Sequence, residues 1–229
     1  MASVDTRSAG PSPARARGEA SGSECVLAVE GLCRELGARR VVDNFTLSLS
    51  EGERVALLGG NGSGKTTILR CILGTLSPTR GRISVGGHPA ASLAARSLVG
   101  ALLPHDRAFY LRLTGRTNLL FFAKLRGLDR QAASRRVQEL DAELGLAEIL
   151  SRRLDRCSTG MLQKLALARV LVGEPPLLLL DEPTRSLDDA AVEAMWAAIE
   201  RRPSVALLIA THRREDVARC DREIRLSRS

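Results

Sequence analysis

Apolar residues along this chain switch between two spacings. Residues 26–29 and 45–49 read as strands, with 31–44 between them as a hairpin or as a turn plus a strand. Arg54-Val-Ala-Leu-Leu58 is a short apolar run between turn signals, the mark of a buried strand. A helix follows, because Ile68, Leu69, Ile72, Leu73 and Leu76 recur at three and four residues. A short strand at 83–85 precedes the Gly86-Gly87 turn, then a short helix at 90–97 and a strand at 99–103. The middle reads as helices at 114–126, 131–144 and 159–172, with Ala133, Val137, Leu140 and Leu144 on one face of the second. Strand and helix then alternate: 177–180, 188–200, 205–210, a short helix at 213–218 and a last strand at 223–226. No internal repeat is visible.

This order predicts an α/β fold: a mainly parallel sheet with helices around it, an antiparallel edge and a helical subdomain at about 106–172. Residues 1–24 are rich in Ser, Ala, Gly, Pro and Arg without apolar periodicity. They read as a disordered tail and lack the apolar core of a secretory signal. The ordered domain is expected over 25–229.

Length and composition narrow the partners. At 229 residues the chain is long enough for one domain, or one with a subdomain, and 44% apolar against 26% charged residues makes it globular. The longest apolar runs fall far short of the roughly 20 residues that cross a bilayer, so no spanning segment is expected. The five cysteines form no CxxC pair, and their odd number favours reduced thiols in a cytosol. The net charge of +8 is carried almost wholly by arginine, since the lysines are Lys65, Lys124 and Lys164. The arginines are scattered, and 3% aromatics leaves little for base stacking, so nucleic acid is not the expected partner.

Two stretches carry chemistry. Gly59-Gly-Asn-Gly-Ser-Gly-Lys-Thr66 fits GxxxxGK[ST], follows a predicted strand and opens a predicted helix. Backbone N–H groups of Gly59, Asn61, Gly62, Ser63, Gly64, Lys65, Thr66 and Thr67 are candidates to wrap phosphate oxygens, helped by the helix N-terminus. Lys65 would reach the β- and γ-phosphates of a nucleotide, and the Thr66 hydroxyl would ligate Mg²⁺. Downstream, Leu177-Leu-Leu-Leu-Asp181-Glu182 is an apolar run ending in two carboxylates. Asp181 suits the second Mg²⁺ position, held through water, and Glu182 is placed to polarise an attacking water as general base.

With these residues in order, the chain resembles the ATP-binding cassette (ABC) ATPases, P-loop NTPases with an antiparallel β-subdomain and a helical subdomain. The likeness runs over roughly 26–226. Cys157-Ser-Thr-Gly-Met161 stands where that family has its LSGGQ signature, Asp181-Glu-Pro-Thr184 matches its Walker B extension, and Ser186-Leu-Asp188 its D-loop. Thr211-His212 follows an apolar strand as its switch histidine does, and Leu113-Thr-Gly-Arg-Thr-Asn118 is similar to its LTxxEN stretch. The resemblance implies a head-to-tail dimer, homodimer or heterodimer, in which Ser158 and Gly160 cap ATP held by the other subunit. It also implies that Asp188 lies at the seam and that His212 contacts the γ-phosphate and orients Glu182 and water. From the residues alone, Ser158, Thr159 and Asp188 also read as plain helix N-caps, and both roles are compatible.

Three departures from the family pattern stand out. His105 replaces the usual Gln after the strand at 99–103, and its charge would depend on pH. Leu36 stands nearest the usual adenine-stacking aromatic, so weaker ATP affinity or looser base choice is expected. Cys157 and Met161 replace the first and last signature residues, with Cys157 read as an apolar substitute and not as a reactive thiol. The function the resemblance implies is an ATP-hydrolysing subunit on the cytoplasmic face of the cell membrane, driving separate transmembrane permease subunits. The short helical region points to export. The alternatives are a regulatory ATP-binding subunit of a heterodimer, or a soluble ABC ATPase with no transport role.

Overall fold

The computed structural model describes residues 24–37, 39–104 and 109–226. The expected disordered tail, apart from Glu24, and His105 lie outside the described residues. The chain divides into two compact units, one of residues 24–103, 176–182 and 204–226, the other of 104–175 and 183–203.

The first unit carries two sheets. β1 (Cys25–Leu36) and β2 (Arg39–Ser50) form an antiparallel pair, extended by β4 (Arg80–Val85) and the two-residue β5 (His88–Pro89) in the order β2-β1-β4-β5. The parallel sheet runs β6-β7-β8-β3-β9, from β3 (Arg54–Leu58), β6 (Val99–Leu102), β7 (Leu177–Asp181), β8 (Ala206–Ala210) and β9 (Arg222–Arg225). Every residue of β7 and β8 is buried. Parallel strands are covered on both faces, which is why they show as continuous apolar runs and not as alternation. Helix α1 (Lys65–Ile72) lays Ile68, Leu69, Cys71 and Ile72 into a core shared with Leu27, Phe45, Val55, Leu57, Leu179 and Leu208. Removing one such leucine side chain typically costs about 2–5 kcal/mol. The short helices α2 (Leu93–Ser97) and α8 (Arg214–Val217) complete this unit.

The second unit holds α3 (Gly115–Leu125), α4 (Arg130–Leu144), α5 (Ala147–Ser151), α6 (Thr159–Leu171) and α7 (Asp189–Glu200). The face predicted for α4 is the buried one, and α7 buries Val192, Met195, Trp196 and Ile199. Four of these five helices start where a short polar side chain caps them: Thr114 for α3, Asp129 for α4, Ser158 for α6 and Asp188 for α7; α5 begins at Leu146 without a side-chain cap. Arg202 braces α4 by a bidentate pair to Glu143, at 3.1 and 2.9 Å.

The structure differs from the sequence reading at two places. β1 and β2 are twelve residues each and do not stop near Gly31. Gly31 sits at φ 57° beside register shifts between Val29 and Leu32, so the strand bulges through a residue that reads as a breaker. α5 and the 3₁₀ turn at Leu154–Arg156 are also present. Both are too short to leave a periodic signal.

Candidate functional site

The first unit brings its candidate residues together at the C-terminal ends of β3, β7 and β8. The loop after β3 passes through Gly62 at φ 78° and Gly64 at φ 97°, and Gly64 is the N-cap of α1 with no side-chain cap. A Cβ on Gly64 would stand 2.8 Å from the Val41 carbonyl oxygen, so this position needs glycine for both space and conformation. Gly60, Asn61 and Gly62 form the exposed rim, while Ser63, Gly64 and Lys65 are buried and Gly59, Thr66 and Thr67 are half-buried. Lys65 Nζ folds over the loop, donating to the carbonyls of Gly59 (2.6 Å) and Gly60 (3.2 Å). Ser63 Oγ is buried with no hydrogen-bond partner among the described residues. Buried polar atoms are rarely left so. An orphaned hydroxyl, a buried ammonium and an uncapped helix start on one loop form a donor set suited to phosphate oxygens.

Thr66 Oγ1 donates to Asp181 Oδ2 at 2.5 Å, joining the start of α1 to the end of β7. Burial holds the Asp181 carboxyl above its ordinary range, with the Thr66 hydroxyl bond opposing and the Glu182 charge adding to it. A hydroxyl and a carboxylate at this spacing are hard oxygen ligands, and they fit Mg²⁺.

Glu182 follows β7 directly. Its N–H donates to the Ala210 carbonyl at 2.8 Å, and its backbone stands at φ 49°, a left-handed conformation that non-glycine residues seldom adopt. His212 Nδ1 lies 2.8 Å from Glu182 Oε2, although the imidazole is 73% exposed. β7 and β8 pair in parallel with Asp181 opposite Ala210, and that register brings Glu182 and His212 to one edge.

The second unit carries the other candidates. Ser158 is exposed at the start of α6, and its Oγ accepts from Met161 N at 3.2 Å. A Cβ on Gly160 would meet the Ser186 carbonyl oxygen at 2.8 Å, so α6 and the 183–188 loop touch backbone to backbone there. Gln163 adds a bond from Nε2 to the Pro183 carbonyl at 2.9 Å. Asp188 is exposed and accepts from Ala191 N through Oδ1 at 2.7 Å. Burial pushes the Cys157 thiol above its ordinary value, with Arg152 opposing, which keeps it protonated and a poor nucleophile. Leu36, expected nearest the adenine-stacking place, is 51% exposed at the end of β1.

Sequence reasoning missed three buried or bridging polar groups: Thr211, Asp216 and Gln163. Thr211 stood beside a recognised histidine, but nothing in the spacing shows that its side chain turns inward.

Comparisons with known proteins agree on one family. Residues 42–185 match the family model described as ABC transporter. The ABC transporter ATP-binding protein NatA of Bacillus subtilis is 35% identical over 187 residues, covering 80% of this chain and 76% of that protein. The Nod factor export ATP-binding protein I of Burkholderia orbicola is 39% identical, covering 82% and 64%. The zinc import ATP-binding protein ZnuC of Roseobacter denitrificans is 34% identical, covering 80% and 68%. A solved ATP-binding subunit of an ABC transporter superposes with a TM-score of 0.82 at 31% identity, over 88% of this chain and 85% of that one. The phosphate-binding loop, the paired carboxylates after β7 and these likenesses lead to one conclusion: the chain belongs to the ABC transporter family, as one of its ATP-binding ATPase subunits.

Proposed function

We propose that this chain binds ATP with Mg²⁺ on the loop before α1 and hydrolyses it with Glu182 when two subunits close head to tail, driving export through a separate permease. The observation that carries this reading is the Glu182–His212 pair at 2.8 Å, beside the Thr66–Asp181 pair at 2.5 Å. Lys65 brings its charge to the β- and γ-phosphates, and the backbone amides of Gly59 to Thr67 hold them. Thr66 and Asp181 would hold Mg²⁺, Asp181 through water, and the ion would supply positive charge beside the phosphate oxygens. Glu182 orients water and takes its proton. The His212 nitrogen that faces Glu182 keeps that carboxylate aimed, and the other nitrogen meets the γ-phosphate. Ser158 and Gly160 approach the γ-phosphate from the second subunit, and Asp188 lies at the seam between the two.

No helix among the described residues is long and apolar enough to cross a membrane. Exposed apolar residues in the second unit support a membrane partner. Tyr110, Leu111, Leu113 and Phe121 are exposed large apolar residues, and the rings of Tyr110 and Phe121 stand 5.1 Å apart. The buried Asn118 side chain holds this segment, accepting from Tyr110 N (2.8 Å) and donating to the carbonyls of Tyr110 (3.1 Å) and Thr114 (2.9 Å). We place the protein on the inner face of the cell membrane with transmembrane permease subunits on this patch. Export is favoured by the Leu113-Thr-Gly-Arg-Thr-Asn118 opening of the helical region and by the exporting relative. Uptake into inside-out vesicles carrying the cognate permease supports export, and uptake confined to right-side-out vesicles overturns it.

The catalytic assignment is tested on the purified chain with ATP and Mg²⁺. Glu182→Gln is expected to lower turnover at least about 100-fold while ATP still binds and drives a stable dimer; turnover near wild type sinks the assignment. A regulatory subunit of a heterodimer is the second reading, favoured by His105 in place of the usual Gln and by Leu36 in place of the usual aromatic. It predicts that the wild-type chain binds ATP but turns over only beside a second, different subunit.

A further inference from the structure

Two fully buried polar side chains stand one step behind His212. Asp216, on α8, and Thr211, directly after β8, both have no exposed surface. Thr211 Oγ1 donates to Asp216 Oδ2 at 2.9 Å, and the same oxygen accepts from Arg213 N at 3.1 Å. Thr211 N donates to the Leu57 carbonyl at 3.3 Å. A hydroxyl has one proton and two lone pairs, so giving the proton to the carboxylate turns a lone pair toward the Arg213 amide. The residues before and after His212 are thus tied down, Thr211 to β3 and to a buried carboxylate, Arg213 to the hydroxyl which that carboxylate orients. The imidazole itself is 73% exposed, so side-chain packing does little to fix its direction. Apart from the Glu182 contact itself, its aim rests on its backbone.

Burying a carboxylate is costly, and an apolar side chain would cover the end of β8 at less cost. A charge in this place therefore calls for a task beyond filling space. We propose that Asp216 is a positioning residue for hydrolysis: through Thr211 Oγ1 it fixes the backbone on both sides of His212 and so aims the imidazole at Glu182. This rests on the roles proposed above for His212 and Glu182.

The test is steady-state turnover of the full chain with ATP and Mg²⁺. Thr211→Val keeps the shape and removes the hydroxyl. It is expected to lower kcat about tenfold, with KM for ATP within about twofold, because the phosphate loop is untouched. Thr211→Ser restores the hydroxyl and kcat to within about threefold of wild type. On a His212→Ala background, Thr211→Val is expected to lower kcat no further, since the group it aims is gone. Wild-type kcat in Thr211→Val overturns the proposal. So does a loss that multiplies with that of His212→Ala, because a purely structural role acts with or without the imidazole. If Thr211→Val does not fold, Asp216→Asn takes its place, with an expected loss of about threefold and the same non-additivity. His212→Ala alone separates the two levels: wild-type turnover there removes the proposed role of the histidine, whereas a loss without coupling to Thr211 or Asp216 removes only the positioning.

Discussion

Under the proposed function two helix starts in this molecule would meet phosphate, and they are built in opposite ways. α1 begins at Gly64, which has no side-chain cap, and its first residue, Lys65, is buried. α6 begins at Ser158, whose own hydroxyl accepts from Met161 N, and Ser158 is exposed. A helix N-terminus has four backbone donors to satisfy. At α1 the sequence omits the usual cap and wraps a glycine loop around the gap, so the cap is to come from outside. At α6 the chain supplies its own, so that end is stable by itself, and in the reading proposed above it meets phosphate only when a second subunit presents one. On that reading the difference separates binding, which one chain would do alone, from hydrolysis, which would need two.

The comparison breaks first at Lys65. Lys65→Ala is expected to weaken ATP binding to the isolated chain at least about 100-fold, while the melting temperature without ligand changes little. Calorimetric titration and thermal melting check this, and near-normal ATP affinity would end the account of α1. Gly160→Ala should do the reverse. Its added Cβ would press on the Ser186 carbonyl from 2.8 Å, so ATP binding by one chain stays normal while ATP-driven dimerisation weakens roughly tenfold. Sedimentation with ATP and Glu182→Gln as the trapping background measures it. Unchanged dimerisation would deny α6 its part.

Two smaller effects sharpen the contrast. Burial raises the Asp181 pKa in the folded chain, so the native state holds that proton more tightly than the unfolded one. Its contribution is neutral at acid pH, and stability is lost as pH rises from the unfolded pKa through the folded one. Asp181→Asn should therefore melt at a higher temperature than wild type at neutral pH without ligand, with the gain shrinking on acidification, yet lose Mg²⁺-dependent turnover. Equal melting at pH 7 contradicts it. Ser158→Ala removes a cap that α1 never had, and about 1 kcal/mol of stability with it, measured by urea unfolding.

The first of these helix ends was legible in the sequence and the second only by resemblance. Gly59 to Thr66 is contiguous, and each residue type has a local reason to be there. Asp181 and Glu182 could be placed because they directly follow a fully apolar run that reads as a covered strand. Ser158 and Gly160 carry no such local mark, since a serine before a helix is an ordinary cap. The least legible residues are Thr211 and Asp216. Whether a threonine after β8 and an aspartate in a four-residue helix face inward depends on how α8 folds back over the sheet, and no periodic pattern spans so short a piece. The length of β1 and β2 was hidden for a related reason: Gly31 looks like a stop, and only pairing with β2 and β4 shows that it is a bulge.

The backbone of Glu182 stands at φ 49°, where glycine or asparagine would rest more comfortably. If Glu182 is the general base proposed above, a change to either of those residues would relax the backbone and leave a well-folded chain that still grips nucleotide and no longer hydrolyses it. Durability and turnover pull apart at this one amide plane. A lineage that relaxed it would retain a subunit able to signal the presence of ATP without consuming it.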